Sequence, residues 1–305
     1  MQQVQEIIGQ VRKVVVGKDA VIGSILMAML AQGHVLLEDV PGVGKTTLAL
    51  AFSRAMSLSY KRMQFTPDVM PSDITGYTTL QAGGIPGAYV PGAAMCNLFL
   101  ADEINRASSK TQSALLEVME ENSITVDGIT HPVPQPYMVI ATQNPAGSSG
   151  TQPLPESQLD RFMVRLSMGY PDRRSEVEML RRHQNSVSLD DISRVITPQD
   201  LALMQREVES IYVSEPLFSY ITELAAWTRA QPAIRFGVSP RGTIALLRMS
   251  KASAYLSGRE YLIPQDVQSV FEIVCTHRIL LSPRALVSGI SEQQLAKRAL
   301  TQVQA

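Results

Sequence analysis

The sequence predicts an α/β fold with a mainly parallel sheet in its first half and an all-helical region in its second. Three observations lead to this prediction. Short apolar runs of strand character alternate with helical patterns up to about residue 169, as in βαβ units. Strand signals then largely disappear, and amphipathic helical segments follow one another. A glycine-rich run, residues 39–47, separates the first apolar run from the first helical pattern.

The predicted elements follow in order along the chain. Three strand and helix pairs make up the first half: 35–37 with 45–57, 98–101 with 110–121, and 137–141 with 156–162. Five helices are predicted after residue 169, several opened by a capping residue or by a proline beside an acid: 174–182, 198–210, 215–230, 240–256 and 264–276. Ligands of parallel sheets bind beyond the carboxyl ends of the strands, so functional residues are expected at that edge.

Composition and charge are those of an ordinary globular chain. Its 305 residues are 45% hydrophobic and carry a net charge of −1, which gives no global attraction to nucleic acid or to an anionic membrane. Cys96 and Cys275 lie too far apart in sequence to suggest a disulfide framework or a zinc ribbon. The amino terminus lacks a signal-peptide pattern, and the longest apolar run, 20–31, is too short to span a bilayer. We therefore expect a cytoplasmic protein.

The run from Asp39 to Thr47 has the features of a phosphate-binding loop. A glycine-rich turn that leaves a strand and opens a helix directs several backbone N–H groups at one point, where the helix dipole also favours an anion. Lys45 in the first helical turn needs an anionic partner, and the Thr46 hydroxyl is the group that such loops use on Mg²⁺. Asp39 takes the place of the first glycine of the pattern, and we expect it to adopt the left-handed backbone that Asp tolerates.

Two adjacent carboxylates, Asp102 and Glu103, end a second apolar strand. One acid can hold magnesium through its water shell, and the next can orient and deprotonate an attacking water. An acidic helix cap would explain either residue but not both. Together with the loop, this pair predicts a site for nucleotide hydrolysis.

Three further polar residues have open interpretations. Asn144 follows a third buried strand and could hydrogen-bond a γ-phosphate or the lytic water, or form a turn before proline. Arg161 is either paired within the chain, with Asp160 or Glu156, or directed at the nucleotide of a neighbouring subunit. Arg241 occupies the first turn of a capped helix, where a cation needs an anion, and the alternative is a solvated surface arginine.

Two groups of polar residues receive no functional assignment. The four histidines have no metal-ligand spacing: His34, His131, His183 and His277. The carboxylates at positions 117, 120 and 121 are expected to form a solvated helix face.

These motifs and their order resemble the AAA+ ATPases, and within them the MoxR family. The resemblance rests on five blocks: Pro-Gly-Val-Gly-Lys-Thr, Leu-Phe-Leu-Ala-Asp-Glu-Ile-Asn-Arg-Ala, Ala-Thr-Gln-Asn-Pro, Leu-Pro-Glu-Ser-Gln-Leu-Asp-Arg-Phe and Ser-Pro-Arg. The second and fourth blocks are specific to MoxR-like branches. The match extends from about residue 16 to the end of the chain. It implies an AAA+ P-loop NTPase core of αβα layers at 1–184 and an all-α helical lid domain at 185–305.

The resemblance also implies a role for each motif residue. It assigns Asp102 and Glu103 to Walker B, Asn144 to sensor 1 and Arg161 to an arginine finger acting in trans. Magnesium would be held by Thr46 and, through water, by Asp102. The implied ATP and ADP ligands comprise the Walker A loop, an adenine-contacting segment and sensor 2 from the lid: Val16, Gly17, Pro41, Gly42, Val43, Gly44, Lys45, Thr46, Thr47 and Arg241.

Two segments resemble inserts of this family. Residues 76–92 are rich in glycine and proline and are similar to the insert in helix 2. Residues 122–132 contain Asp127-Gly128 between two β-type runs, which predicts a tight hairpin similar to the pre-sensor-1 hairpin. Both could face the opening of a ring, and an inert surface loop is the alternative for each. The stretch between Asn144 and Leu154 departs from the family pattern, which leaves the contacts of that loop open.

The motifs predict a Mg-dependent ATPase, and the resemblance implies that it remodels or matures protein complexes in a chaperone-like way. A finger in trans requires a homo-oligomer, and the resemblance implies a hexameric ring working with a von Willebrand factor A domain protein. A nucleic-acid motor or loader is the main alternative, but residues 124–131 contain no Lys or Arg and the chain is near neutral. A low-turnover ATP-dependent scaffold is the other alternative.

Overall fold

A five-stranded parallel sheet forms the centre of the first half in the computed structural model, which describes residues 2–40, 42–80, 86–144, 151, 154–184 and 188–304. Its strands are β1 (Val35–Glu38), β2 (Tyr60–Gln64), β5 (Leu98–Asp102), β8 (Met138–Gln143) and β9 (Val164–Leu166). They lie in the order β2, β5, β8, β1, β9, and each neighbouring pair is parallel. Strands β5 and β8 are buried along their whole length, as expected of a sheet covered on both faces.

Helices cover both faces of this sheet and make up most of the second half. Those of the first half are α1 (Gln2–Val14), α2 (Asp19–Leu30), α3 (Lys45–Ala55), α4 (Pro71–Thr75), α5 (Ser109–Glu121), α6 (Glu156–Leu159) and α7 (Arg173–Gln184). Those of the second half are α8 (Pro198–Ser210), α9 (Glu215–Ala230), α10 (Pro240–Leu256), α11 (Pro264–Cys275), α12 (Pro283–Val287) and α13 (Glu292–Gln302). Short 3-10 helices occur at Ile104–Arg106, Leu189–Asp191 and Thr276–Arg278. The predicted fold class, an αβα core followed by a helical region, is confirmed.

Within the described ranges, three antiparallel strand pairs lie outside the central sheet. They are β3 (Gly76–Leu80) with β4 (Pro86–Pro91), β6 (Ser123–Val126) with β7 (Ile129–Pro132), and β10 (Ile234–Phe236) with β11 (Leu280–Leu281). Asp127 and Gly128 both have positive φ, 51° and 78°, which the two-residue turn between β6 and β7 needs. The Tyr89 and His131 rings stack at 3.8 Å and join the first two hairpins. Among the described residues after 169, β10 and β11 are the only strands, so the predicted scarcity of strands in the second half is otherwise confirmed.

The hydrophobic core has two parts on opposite faces of the sheet. Leu98 and Leu100 of β5 belong to the larger part, and Phe99 and Ala101 belong to the smaller, because successive strand residues point to opposite faces. The larger part continues from α1 into the second-half helices as far as Ala299. The predicted domain boundary at 184/185 adjoins residues 185–187, outside the described ranges, and stays a prediction. Among the helices described, none is long and apolar enough to cross a bilayer.

His34 joins the amino end of β1 to its neighbours and is neutral in the folded chain. Val139 N donates to His34 Nδ1 (3.0 Å), so this ring nitrogen carries no proton. The other ring nitrogen, Nε2, then carries the proton and donates it to the carbonyl oxygen of Met119 (2.9 Å). Burial lowers the pKa of His34 from 6.5 to about 4.

We expect this buried histidine to make folding pH-dependent. Below pH 6.5 the unfolded His34 binds a proton that the folded side chain does not bind, so the free energy of unfolding falls as the pH falls. The part due to His34 between about pH 7.5 and about pH 5.5 is about 1 kcal/mol. Urea unfolding at the two pH values, for the unchanged chain and for His34→Gln, measures it. An equally steep pH dependence in His34→Gln would contradict the neutral assignment.

Candidate nucleotide site

The loop after β1 has the backbone geometry of an anion site. Gly42 and Gly44 have φ of 87° and 93°, in the left-handed region that favours glycine. Helix α3 begins at Lys45, directly after Gly44, so the free N–H groups of its first turn lie at this loop. Thr46 and Thr47 follow in the same turn and are partly exposed. Pro41 lies outside the described residues.

The Lys45 side chain is buried within this loop and is only 8% exposed. Its Nζ donates to the carbonyl oxygen of Asp39 (3.0 Å). Burial lowers the pKa of Lys45, and the nearby carboxylates of Asp102, Asp39 and Glu103 oppose that shift. A buried ammonium whose desolvation outweighs these attractions is stabilised by a further anion, so the site fits a phosphate.

Asp39 does not adopt the left-handed backbone that the glycine pattern suggested, because its φ is not positive. Its buried carboxylate accepts three hydrogen bonds from the segment after β9. The donors are Ser167 Oγ (2.8 Å), Met168 N (2.6 Å) and Gly169 N (2.9 Å). The prediction that Asp39 is tolerated for its backbone is wrong: this acid connects the loop after β1 to the end of β9.

A single hydroxyl fixes both acids at the end of β5. Thr142 Oγ1, fully buried in the neighbouring strand β8, donates to Asp102 Oδ1 (2.6 Å) and accepts from Glu103 N (2.8 Å). Glu103 has a left-handed backbone, with φ of 58°, which is uncommon outside glycine. The chain therefore holds the backbone of Glu103 in a specific orientation beside Asp102.

Arginines contact the remaining oxygens of both acids. Arg62 of β2 donates to Asp102 Oδ2 from Nη2 (2.7 Å) and Nε (3.3 Å). Arg106 Nη1 lies 3.0 Å from Glu103 Oε2. The side chain of Arg62 is about half exposed and that of Asp102 is largely buried, so Arg62 covers the carboxylate from the solvent side.

The oxygen donors at this edge fit Mg²⁺ in the presence of phosphate. The Thr46 hydroxyl at the start of α3 and the Asp102 carboxylate are the ligand types that Mg²⁺ uses beside phosphate oxygens and water. The two parts of the site are joined through β8: Asp39 N donates to the carbonyl oxygen of Gln143 (3.3 Å), and the adjacent Thr142 donates to Asp102. In the described part of the chain, no group of three or more His, Cys, Asp or Glu could hold a metal ion.

Asn144 lies just past the carboxyl end of β8, beside the end of β5. Asn105 Nδ2 donates to its carbonyl oxygen (3.1 Å), and Asn144 N donates to Asn105 Oδ1 (3.3 Å). The Oδ1 atom of Asn144 is buried and accepts no hydrogen bond from any described residue. This unsatisfied acceptor leaves Asn144 able to bind a donor at the site.

Lys18, the residue after Gly17, contacts the segment that Asp39 also contacts. Gly17 has φ of 67°, and a Cβ at this position would come within 2.7 Å of Ser175 Cβ, so only glycine fits there. Lys18 Nζ donates to the carbonyl oxygens of Met168 and Tyr170. Lys18 and Asp39 thus share Met168 as a hydrogen-bond partner, and the contact of residues 16–17 with adenine stays a prediction.

Arg161 and Arg241 lie together at the opposite edge of the sheet. Both pair with Glu120: Arg161 Nη2 is 3.2 Å from Glu120 Oε2, and Arg241 Nη2 donates to Glu120 Oε1. Helix α5 begins a few residues after Glu103, and Glu120 is in its last turn. Its 13 residues span about 20 Å, so Glu120 lies far from the carboxyl edge of the sheet. These three side chains line a cavity of about 520 Å³. His34 also lines it and directly precedes β1, so the cavity lies at the amino edge of the sheet.

Comparisons with known proteins agree with an ATPase core followed by a lid. Residues 34–164 match the family model described as the ATPase family associated with various cellular activities (AAA), and residues 226–299 match the AAA lid domain. A crystal structure of a protein from Cytophaga hutchinsonii has a TM-score of 0.92 to this chain at 37% identity, covering 99% of this chain and 94% of the other.

Three relatives in sequence cover most of both chains. YeaC of Bacillus subtilis is 45% identical over 96% of this chain and 92% of its own length. Chaperone MoxR1 of Mycobacterium tuberculosis is 37% identical over 96% of this chain and 80% of its own. Protein MoxR of Methylorubrum extorquens is 31% identical over 90% and 86%. The chain belongs to the MoxR family of AAA+ ATPases. Family membership implies nucleotide binding and ATP hydrolysis.

The structure brings one set of predicted site residues of this MoxR-family chain together and separates another. The residues at the carboxyl edge of the sheet are Gly42, Val43, Gly44, Lys45, Thr46, Thr47, Asp102, Glu103 and Asn144. The prediction that Arg241 joins them within the same chain is not met, because α10 carries Arg241 to the amino edge beside Arg161. Arg161 is paired within the chain, with Glu120 rather than with the expected Asp160 or Glu156.

Several residues at the site were not assigned from sequence. Thr142 and Asn105 carried a signal, since both lie inside the motif blocks and next to predicted site residues. Arg62 had none, because β2 was not predicted. Glu120 was expected on a solvated helix face, and its contacts with Arg161 and Arg241 correct that expectation.

Proposed function

We propose that this chain is the subunit of a homo-oligomeric ring, hexameric as in similar proteins, in which Mg²⁺-dependent ATP hydrolysis drives chaperone-like remodelling or maturation of protein complexes. One observation carries the proposal. Lys45, Asp102 and Glu103 lie at the carboxyl edge of the sheet, whereas Arg161 and Arg241 lie at the amino edge. One chain therefore supplies two incomplete halves, and a neighbour in a ring completes each of them.

The carboxyl edge would bind the nucleotide. Backbone N–H groups of residues 42–47 and the Lys45 ammonium would hold the β- and γ-phosphates, with residues 16–17 beside the adenine. Thr46 and, through water, Asp102 would hold Mg²⁺, which when bound neutralises charge on the phosphates. Thr142 supports this step because its hydroxyl orients the Asp102 carboxylate.

Glu103 would act as the base for in-line attack by water on the γ-phosphate. Its backbone is fixed by Thr142, and its carboxylate lies one residue beyond the end of β5. The unsatisfied Oδ1 of Asn144 would accept a hydrogen bond from the same water and orient it. Asn105 supports that role because its side chain hydrogen-bonds both the N–H and the carbonyl oxygen of Asn144.

Arg161 and Arg241 would act on the nucleotide of the neighbouring subunit. Arginines directed at the transferred phosphoryl group stabilise the negative charge that develops in the transition state. In this proposal Arg161 is the arginine finger, and Arg241 reaches the same phosphates from the lid in trans rather than within its own chain.

A mixture of two inactive variants tests the division of the site. Glu103→Gln subunits retain both arginines, and Arg161→Ala or Arg241→Ala subunits retain the Walker residues. We expect each arginine variant alone to bind ATP and release little phosphate, and to regain turnover when mixed with Glu103→Gln. In a random 1:1 ring, about a quarter of the sites combine an intact Walker half with an intact arginine half.

This mixture needs two controls: a measurement of ring assembly, and a mixture of two variants that are both altered at the amino edge. Native mass spectrometry should show that mixed rings form, and an Arg161→Ala and Arg241→Ala mixture should test whether both arginines must come from one subunit. Mixed rings that contain Glu103→Gln and Arg161→Ala yet regain no turnover would contradict the trans arrangement.

The Glu103→Gln variant can also be used to identify the protein client and the partner, because it is expected to bind ATP without hydrolysing it. One relative is named Chaperone MoxR1, which supports a protein-remodelling role here. We propose that the chain acts in the cytoplasm. In affinity capture from cell extract, we expect Glu103→Gln saturated with ATP to retain a protein client and a von Willebrand factor A domain partner. DNA-stimulated turnover with a steep salt dependence would instead favour a nucleic-acid motor. ATP binding with little phosphate release by the unchanged chain would instead favour a scaffold.

A further inference from the structure

Glu120 is the one residue among those described that contacts both Arg161 and Arg241 in a salt bridge. Each of its carboxylate oxygens serves a different guanidinium: Oε2 pairs with Arg161 Nη2 (3.2 Å), and Oε1 pairs with Arg241 Nη2. The three side chains are between 31% and 44% exposed, so they are accessible to a neighbouring molecule. Glu120 thus connects an arginine of the core to an arginine of the lid.

This contact leaves most donors of both arginines available. A guanidinium has five N–H groups in a fixed plane, and Glu120 accepts one contact from each side chain. The Nε atom of Arg161 is buried and has no hydrogen-bond partner among the described residues. Two guanidinium groups at such close range repel each other unless an anion lies between them. Glu120 supplies that anion and fixes their relative position.

The backbone segments that carry the two arginines are also joined to each other. Asp160, directly before Arg161, accepts from Ser239 Oγ (2.7 Å) through Oδ2. Ser239 caps α10, in whose first turn Arg241 lies. Asp160 Oδ1 accepts in addition from the buried Arg278 Nε (2.8 Å). The main chains at positions 161 and 241 are therefore fixed, and the remaining freedom is in the long side chains that Glu120 contacts.

We propose that Glu120 is a positioning residue that holds Arg161 and Arg241 side by side, so that both arginines act on one nucleotide bound by the neighbouring subunit. This inference rests on the proposed function in trans. Glu120 touches neither the nucleotide nor the attacking water. It acts through the two arginines, whose misplacement by about 1 Å is enough to lower turnover strongly.

The test variant is Glu120→Gln, which keeps the size of the side chain and removes its charge. We expect steady-state phosphate release to fall about tenfold or more, with ATP binding, ring assembly and the urea unfolding midpoint unchanged, because partly exposed salt bridges contribute little to stability. Glu121→Gln, at the exposed next position of the same helix, is the matched control and should release phosphate at the unchanged rate.

Mixing Glu120→Gln with Glu103→Gln subunits distinguishes the misplacement of the two arginines from a general loss of activity in the Glu120→Gln subunit. A Glu120→Gln subunit has intact Walker residues, so Glu103→Gln subunits should restore its turnover, as they should for Arg161→Ala. If the arginine variants regain turnover but Glu120→Gln does not, or if Glu120→Gln alone is fully active, the role of Glu120 is wrong and the trans arrangement stands. If the arginine variants regain none in mixed rings, the proposed function itself fails.

Discussion

Replacing Glu103 by glutamine is expected to abolish ATP turnover while ATP binding is retained. Glutamine has the same shape as glutamate but cannot accept the proton of the attacking water, and general-base catalysis typically contributes about 10²-fold to 10⁴-fold. The Walker A loop, with Lys45 and the left-handed Gly42 and Gly44, is untouched by this change. Steady-state phosphate release and equilibrium binding of a fluorescent ATP analogue measure the two properties separately.

Two further variants distinguish the loss of the catalytic base from the loss of a negative charge. Glu117→Gln removes one negative charge from the exposed face of α5 and should leave phosphate release unchanged. Glu103→Asp keeps the charge but withdraws the carboxylate by one methylene, and its turnover should be reduced for geometric reasons. Turnover in Glu103→Gln comparable to that of the unchanged chain would show that another group activates the water.

The carboxyl edge of the sheet could be predicted from sequence because its signals are local. A glycine with positive φ, a lysine after it and paired acids after an apolar run each occupy a few consecutive positions. Parallel strands then bring such runs to one edge whatever the length of chain between them. Asp39 is the exception at this edge: its partners, Ser167, Met168 and Gly169, lie about 130 positions away, and the pattern at 39–47 contains no trace of them.

The amino edge could not be predicted because its contacts link distant segments. The sequence predicts an anionic partner for Arg241 and, as one alternative, an Asp160 or Glu156 partner for Arg161. The anion that contacts both arginines within one chain is Glu120, on a helix face expected to be solvated. The helical pattern at 156–162 was also overextended. Helix α6 ends at Leu159, where the side chain of Asp160 bonds to Ser239 and Arg278 instead.

Sheet strands with mixed composition were missed for a related reason. β2 has the sequence Tyr-Lys-Arg-Met-Gln, and only its pairing with β5 stabilises it as a strand. β9 is three residues long and lies at the edge of the sheet beside β1. Strand propensity is a weak signal when tertiary pairing decides the conformation.

Replacing Arg278 by methionine is expected to destabilise the chain strongly. The Arg278 side chain is 2% exposed, and its guanidinium donates to Asp160 Oδ1 (2.8 Å). It also donates to the carbonyl oxygens of Asp160 (3.1 Å), Phe162 (2.6 Å) and Met163 (3.1 Å). Removing one partner of a buried ion pair typically costs about 3–5 kcal/mol, because the other charge is left uncompensated. The Asp160 side chain is 22% exposed, so we expect a loss near the lower end of that range. Urea unfolding measures the loss.

Two further variants identify the source of that loss. Arg284→Met, at an exposed position of α12, should change the free energy of unfolding by at most about 0.5 kcal/mol. Asp160→Asn in the Arg278→Met background should recover part of the stability, since a neutral amide no longer needs a cation. No recovery would mean that the unpaired carbonyl groups, rather than the carboxylate, determine the cost. In either case the segment before Arg161 is loosened, so Arg278→Met subunits should also activate their neighbours poorly.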